Sequence, residues 1–482
     1  EISLIKQTYK KIQESFKNQV GYWHSRLSKN EKNDIIKKIK NNEIKIMVGV
    51  RSCLFMPFNN LGLIIVDEEQ ESSYKQTSLS PYYNARDVAI IRSKFSDSII
   101  LLCSATLSLE SFFNIKNKGF TYYYIKNRYK QFNMPKINLV NMLKETHKNK
   151  IPIISKELML QIQKTLDCKE QIILLQNRRS YSYIIQCTNC KSIAQCKYCN
   201  VSLKYHKNEN ILQCHHCNYQ KVFNLFCKSC KKKSLQLFGA GTQKIEEILS
   251  KLFPAARIVR YDRDTVNKKD NYYKILDEFN DHKADILIGT QMIAKGLDFK
   301  NVSLTGVINA DIGMLLPDFR AGEKIFQLIY QLIGRSGRHK NNSNAIIQSY
   351  NVNDQYINLA CNNKLNKFYD LALEERKELF YPPFSRVIKI MVKGLDKSIV
   401  KKQMNIIFKS LSSLKSIIVL GPSFCPIEKL NNQFRMHLII KSKKQDWISV
   451  YKYIITSIGL NTFEKKSKKL STSIDVDPIS FI

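Results

Sequence analysis

The 482-residue sequence contains no run of eighteen apolar residues, so no segment reads as a membrane-crossing helix. It opens Glu1-Ile2-Ser3-Leu4, with no basic stretch, no apolar stretch and no initiator Met. That start does not read as a secretory signal, and it leads us to expect a chain that begins within a longer protein. There is no internal repeat beyond a set of cysteine pairs and no long low-complexity tract, which excludes solenoids and disordered scaffolds. The pattern GxxxxGK(S/T), whose backbone cradles nucleotide phosphates, occurs nowhere. Gly239-Ala240-Gly241-Thr242-Gln243-Lys244 is glycine-rich, but its spacing and order are wrong. Acids are also scarce: 41 Asp and Glu against 77 Lys and Arg leave a formal charge of +36. A surplus of this size points to a polyanion, with nucleic acid the first candidate. A Lys-, Asn- and Ile-rich composition of the kind AT-rich coding produces would give the same balance, so motifs must carry the claim. Length and a hydrophobic content of 44% suit two to four globular domains.

Eight of the thirteen cysteines fall between Cys187 and Cys230. They form four CxxC pairs: Cys187/Cys190, Cys196/Cys199, Cys214/Cys217 and Cys227/Cys230. Each pair has the bite with which two thiolates grip one tetrahedral ion, so the eight supply two Cys₄ zinc sites. The stretch is Lys-rich and poor in aliphatics, and metal binding would provide the folding energy its core cannot. Four thiolates leave no position for a reacting water, so these ions are structural. His206, His215 and His216 lie inside the stretch and could replace a thiolate, although eight thiols make that unnecessary. Spacing does not decide whether the pairs combine sequentially or interleaved.

Elsewhere, helical and strand patterns alternate. Residues 30–43 place Ile35, Ile36 and Ile39 at helical spacing. Apolar strand-like runs follow at 45–50, 61–66, 99–103, 172–175, 284–288 and 302–308. Runs of this type are the buried parallel strands of layered α/β domains, whose ligands sit beyond the carboxyl ends of the strands. Asp67-Glu68-Glu69-Gln70 follows one run. An Asp there can hold Mg²⁺, and an adjacent Glu can position and deprotonate a water. Ser104-Ala105-Thr106 follows the next, with small hydroxyls able to relay the phosphate-side network. Farther on come Gly289-Thr290-Gln291-Met292-Ile293-Ala294-Lys295-Gly296-Leu297-Asp298 and Gln331-Leu332-Ile333-Gly334-Arg335-Ser336-Gly337-Arg338. Two arginines three apart are expected to share a helix face and reach one phosphate. Taken singly, each motif could be an ordinary loop or a solvated helix end.

In this order the four motifs resemble a superfamily 2 helicase, with ATP between two RecA-like lobes. The cysteine module after Asn177-Arg178-Arg179-Ser180-Tyr181 narrows the resemblance to the primosomal protein N′ (PriA) family of bacterial replication-restart helicases. Asp318-Phe319-Arg320-Ala321, Pro382-Pro383-Phe384 and Asp475-Val476-Asp477-Pro478 are further marks of it. The resemblance implies an α/β fold with a first lobe at 1–145, incomplete at its start. A second lobe follows at 146–362 with a two-zinc insertion at 185–234, then a small C-terminal α/β domain at 363–482. It implies catalytic roles for Asp67, Glu68, Gln331, Arg335 and Arg338, and cofactor contacts at Gly296 and Asp298. One zinc would take Cys187, Cys190, Cys227 and Cys230; the other, Cys196, Cys199, Cys214 and Cys217. The segment 72–87 resembles the family's aromatic loop that couples DNA to ATP hydrolysis. Tyr74, Tyr82 and Tyr83 would stack on bases, and Lys75 and Arg86 would meet phosphate. Tyrosines packed on the lobe surface would leave the same pattern.

Two departures accompany the resemblance. The family's acidic motif usually ends in His where this chain has Gln70, and its aromatic loop usually carries Trp, which is absent here. The family's phosphate loop precedes the segment matching Glu1-Ile2-Ser3-Leu4, as do two DNA-binding domains. Two expectations therefore stand. One is an ATP- and Mg²⁺-dependent 3′-to-5′ helicase working as a monomer in the bacterial cytosol and nucleoid. It would act on forked and single-stranded DNA with single-strand-binding protein and other primosomal proteins, and without a membrane. The other is a non-catalytic, zinc- and DNA-binding remnant of such an enzyme.

Overall fold

The computed structural model describes the whole chain except residues 1, 78–79, 126–131, 146–151, 177–183, 188–189, 191, 193, 195, 197–202, 207–208, 215–217, 228–229, 239–241, 262–270, 295–298, 316–317, 337–341, 415, 459–463, 467–469 and 482. It divides into two units, Glu1–Ser111 and Phe112–Ile482.

In the first unit Ser28 opens the helix Lys29–Lys40 with a full capping box, its hydroxyl bonded to the Glu31 amide and the Glu31 carboxylate returning to the Ser28 amide. The helix buries Ile39 against Ile44 and Met56. Beside it, strand Val20–Trp23 pairs in parallel with Ile46–Gly49. A second parallel pair, Leu63–Val66 with Ile99–Leu102, carries both chemical loops at its carboxyl end. Ile64 and Val66 pack beneath Ala89 of the helix Ala85–Phe95. Leu63, Ile65, Ile99 and Leu101 face outward. The apolar runs read as strands covered on both sides; among the described residues only one side is covered.

The second unit is built on a parallel sheet of six strands. Their order is Ile258–Tyr261, Ile286–Gly289, Gln171–Leu175, Val302–Val307, Asn344–Ser349 and Lys136–Asn141. The central strands are buried along their whole length, as the apolar runs Ile172–Leu175 and Ile286–Ile288 require, and in Val302–Val307 the buried stretch takes in Ser303 and Thr305 as well. The last strand moves a border. Lys136–Asn141 pairs along its whole length with Asn344–Ser349, so the second sheet begins before the expected division at 145/146. Its alternating polar and apolar residues suit a sheet edge, which is why the sequence did not mark it.

The cysteine module is a five-stranded antiparallel sheet inserted between strand Gln171–Leu175 and helix Thr242–Leu252, bounded by Ile184–Cys187 and Leu235–Phe238. Among the described residues, its buried core cluster joins Cys187, Cys196, Cys214 and Cys227 to Leu203 and Leu212. A core made largely of thiols agrees with a fold that depends on metal. The C-terminal domain follows helix Leu365–Glu378 and is a five-stranded antiparallel sheet. One face packs helices Lys397–Ser412 and Trp447–Ile458 through Ile388, Ile390, Val400, Met404, Leu438 and Ile454. No helix among the described residues is long and apolar enough to cross a membrane.

Candidate nucleotide and zinc sites

Asp67 lies just past strand Leu63–Val66 and is exposed. Its carboxylate accepts the Glu68 amide at 2.9 Å. Glu68 has φ +48°, a left-handed conformation uncommon for a residue with a Cβ, and this turns its side chain back across the loop. Its carboxylate accepts the Gln70 amide at 2.6 Å, and the Gln70 oxygen accepts the Ser104 hydroxyl at 2.6 Å. Ser104 in turn accepts the backbone amide of Thr106 at 2.9 Å. One chain of bonds thus runs from the acid loop to the SAT loop, with Gln70 performing the cross-loop bonding that a histidine could provide. The Tyr74 hydroxyl donates to the Asp67 carbonyl at 2.7 Å. Burial first, and then the carboxylates around it, raise the Tyr74 phenol above its ordinary value, keeping it a donor.

Sequence reasoning missed Glu69. The residue is 2% exposed, and its carboxylate accepts Arg86 at 3.2 Å, the Ser108 amide at 2.6 Å, and the Ser108 and Ser111 hydroxyls each at 3.0 Å. A third acid in the loop and serines three apart near a helix start were the available signal. The same network corrects the expectation for Arg86. Its guanidinium is buried, bonded to Glu69, Ser108 and Asp87, and not presented to a phosphate. Burial opposes its charge, but Asp87, Glu69 and Glu110 outweigh burial and hold it above its usual value. Lys75 is likewise turned inward. It is 4% exposed, with its ammonium donating to the Tyr82 carbonyl at 2.9 Å, where it braces the aromatic loop. Tyr82 and Tyr83 are half-buried, and Tyr83 sits edge-on to Phe55 at 5.5 Å.

In the second unit, strand Ile286–Gly289 turns directly into Gln291–Ala294. A Cβ on Gly289 would lie 2.7 Å from the Tyr261 carbonyl, so this exit needs glycine. Gln331 is buried near the end of helix Ala321–Ile333. That helix stops before Arg335, which lies in the turn beyond, its Nε donating to the Ala294 carbonyl at 3.0 Å. Gly334 closes the helix, and Ser336 bonds Thr305 at 3.2 Å. Gly296, Asp298 and Arg338 lie outside the described residues.

Cys187, Cys190, Cys227 and Cys230 bring their four sulfurs within 4.8 Å of one another. Cys187 and Cys230 are 3.5 Å apart, as are Cys190 and Cys227. Disulfide sulfurs lie near 2.0 Å, whereas a tetrahedral zinc with Zn–S near 2.3 Å spaces them at about 3.8 Å. The donor set fits zinc. Ser234 lies 2.9 Å from the Cys187 sulfur and Ser192 3.1 Å from that of Cys227, hydroxyls able to donate to thiolates. Three cysteines share one turn: the amides of Cys187, Cys214 and Cys227 donate to the carbonyls of Ser192, Tyr219 and Lys232, each five residues on. Asn218 and Lys231, each next to the second Cys position of its pair, both have positive φ. Cys214 therefore stands in the same knuckle as Cys227. Cys196 and Cys214 are buried, and Cys199, Cys217, His215 and His216 lie outside the described residues.

An acid loop bonded to a SAT loop, a six-stranded parallel sheet closed by an arginine turn, and an inserted cysteine knuckle sheet define a helicase-type fold with a zinc-binding insertion. Residues 1–114 match the DEAD/DEAH box helicase family, 196–221 the PriA DNA helicase Cys-rich region domain, and 377–479 the Primosomal protein N C-terminal domain. Proteins named Replication restart protein PriA are similar along the chain. That of Bacillus subtilis (strain 168) is 38% identical over 480 residues, covering 99% of this chain and 59% of its own. Those of Chlamydia pneumoniae and Borreliella burgdorferi (strain ATCC 35210 / DSM 4680 / CIP 102532 / B31) are 37% and 36% identical across the whole of this chain, covering 64% and 72% of theirs. This chain belongs to the PriA replication restart family. It spans about three fifths of the length of the first two relatives.

Proposed function

We propose that this chain is the motor and zinc-bearing portion of an ATP-dependent 3′-to-5′ DNA helicase that recognises stalled or branched replication forks and initiates primosome assembly. The observation that carries the reading is the bond chain Glu68–Gln70–Ser104–Thr106, which joins the acid loop to the SAT loop. In this reading Asp67 holds Mg²⁺, and Glu68, fixed by Gln70, orients and deprotonates the attacking water. Bound ATP would supply the phosphoryl group, with Gly296 and Asp298 contacting the nucleotide. Gln331, Arg335 and Arg338 would meet its developing charge. These 482 residues contain no GxxxxGK(S/T), so turnover is expected only where such a loop is supplied with them. Tyr74 links the aromatic loop to the Asp67 backbone, so DNA stacked on Tyr82 and Tyr83 would be felt at the acid loop.

The eight cysteines hold two structural zincs, with Cys196, Cys199, Cys214 and Cys217 forming the second site. The domains are a first lobe, a second lobe with the zinc insertion, and the C-terminal domain. Forked and single-stranded DNA are the nucleic-acid partners, single-strand-binding protein and smaller primosomal proteins the protein partners, and the working unit is a monomer. Competition binding by residues 1–482 tests the DNA claim. Forked DNA should outcompete duplex and heparin at matched charge and salt. Equal competition by all three would reduce the interaction to nonspecific electrostatics.

A further inference from the structure

Three sequence motifs that the proposed chemistry leaves unused meet in one place. Asp318-Phe319-Arg320-Ala321 immediately precedes and opens helix Ala321–Ile333. Phe319 stacks on Tyr381 at 4.0 Å with the rings 4° from parallel, next to Pro382-Pro383-Phe384. The guanidinium groups of Arg320 and Arg376 lie over the Phe319 ring at 4.2 and 4.3 Å, and the Lys441 ammonium lies 3.5 Å from the Tyr381 ring centre. Arg320 also donates to the Pro478 carbonyl at 2.9 Å. That carbonyl is presented by a turn at Asp477, which has φ +49°; its amide donates to the Val387 carbonyl, and its carboxylate accepts the Val387 amide and pairs with Arg386. Lys324 bridges the Asp318 carboxylate at 2.7 Å and the Ile479 carbonyl at 3.2 Å. Glu323 pairs with Arg376 at 2.6 Å, both side chains buried, and Arg376 also donates to the Pro382 carbonyl at 2.7 Å.

The start of one helix is thus bolted to the C-terminal domain by a stack, an ion pair and carbonyl bonds. The helix is stiffly held along its length. Phe326 stacks on Phe368 at 3.8 Å, and Gly322 lets Tyr356 so close that a Cβ there would lie 2.5 Å from its ring. Thirteen residues at 1.5 Å each put the far end about 20 Å away. At that end lies the turn carrying Arg335.

We propose that the C-terminal domain acts as a positioning element for Arg335, with Phe319, Glu323 and Arg376 as the positioning residues that transmit its placement through helix Ala321–Ile333. A buried rigid helix fixed at one end can move its other end only as a body. Displacing a catalytic group by ~1 Å costs on the order of 10²-fold in rate. The inference rests on the reading of Arg335 as a nucleotide-contacting residue, but its structural part is measured without nucleotide.

Hydrogen exchange on residues 1–482 compares the native chain with Phe319→Ala and Phe319→Tyr. Phe319→Ala should speed amide exchange at least tenfold both around residues 376–384 and in the turn 334–336, leaving Gln171–Leu175 unchanged. Phe319→Tyr, which keeps the stack, should match the native chain. A change confined to the neighbourhood of Phe319, or one spread equally into Gln171–Leu175, overturns the proposal. Should Phe319→Ala not fold, Arg320→Met is read by the same criteria. In a protein that also supplies a phosphate loop, Phe319→Ala should lower kcat on the order of 10–100-fold with KM for ATP unchanged. Exchange transmitted to Arg335, with no ATP hydrolysis even when a phosphate loop is supplied, would refute the role given to Arg335 and leave the mechanical link standing. An unchanged kcat alongside transmitted exchange would refute positioning.

Discussion

Replacing Arg86 with Met separates a phosphate contact from a buried brace. The structure places Arg86 against Glu69, whose carboxylate is almost fully buried and also accepts the Ser108 amide and the Ser108 and Ser111 hydroxyls. Removing one partner of a buried pair costs about 3–5 kcal/mol, and three remaining donors put this case at about 3 kcal/mol. A urea slope of roughly 1–3 kcal/mol per molar for a unit of this size lowers the midpoint by on the order of 1–3 M. The chain has two tryptophans, Trp23 in the first unit and Trp447 in the C-terminal domain. In a Trp447→Phe background, Trp23 fluorescence therefore reports the first unit alone. Arg86→Met should shift that transition strongly, and Glu69→Gln with Arg86→Met should recover part of the loss. DNA affinity at temperatures where the unit stays folded should keep its salt slope. A phosphate-contacting Arg86 would instead leave the midpoint in place and flatten the slope by about 1. That result would refute the brace.

Elemental analysis should find two zincs per chain, and Cys227→Ser should lose one and loosen the module while the six-stranded sheet survives; one zinc in the native protein would contradict the pairing. Asp318 is held down at about 2, since Lys324 and Arg320 outweigh the burial that would raise it. A depressed carboxyl contributes stability above its unfolded value near 4 and loses it as pH falls toward 2. At 1.36 kcal/mol per unit this is about 2 kcal/mol, so Asp318→Asn should cost stability at pH 7 and little near pH 2, measured by urea titration at both. Tyr82→Ala with Tyr83→Ala should weaken single-stranded DNA binding by on the order of 1–3 kcal/mol per stacked base in a direct titration; no loss would leave both rings as packing groups.

What the sequence carried well was local. The run Ile172–Leu175 is apolar without interruption because both faces of its strand are covered, and it and Val302–Val307 appeared within a residue or two of their expected positions. CxxC spacing encodes the knuckle directly, because its turn carries both ligands and is closed by the positive-φ residue just after the second cysteine. The direction of Arg86 and Lys75 was hidden, since it is set by Glu69 seventeen residues away and by a carbonyl across a loop. Edge strand Lys136–Asn141 was missed because its partner lies two hundred residues later. The stacking of Phe319 on Tyr381 and the bond from Arg320 to the Pro478 carbonyl bring together motifs that look unrelated along the chain.

The most direct test of the account is ATP hydrolysis, with and without forked DNA, by a protein that supplies a GxxxxGK(S/T) loop together with these residues. The account predicts hydrolysis stimulated by forked DNA and abolished by Glu68→Gln, with fork affinity unchanged. Hydrolysis that survives Glu68→Gln, or that ignores forked DNA, would contradict it.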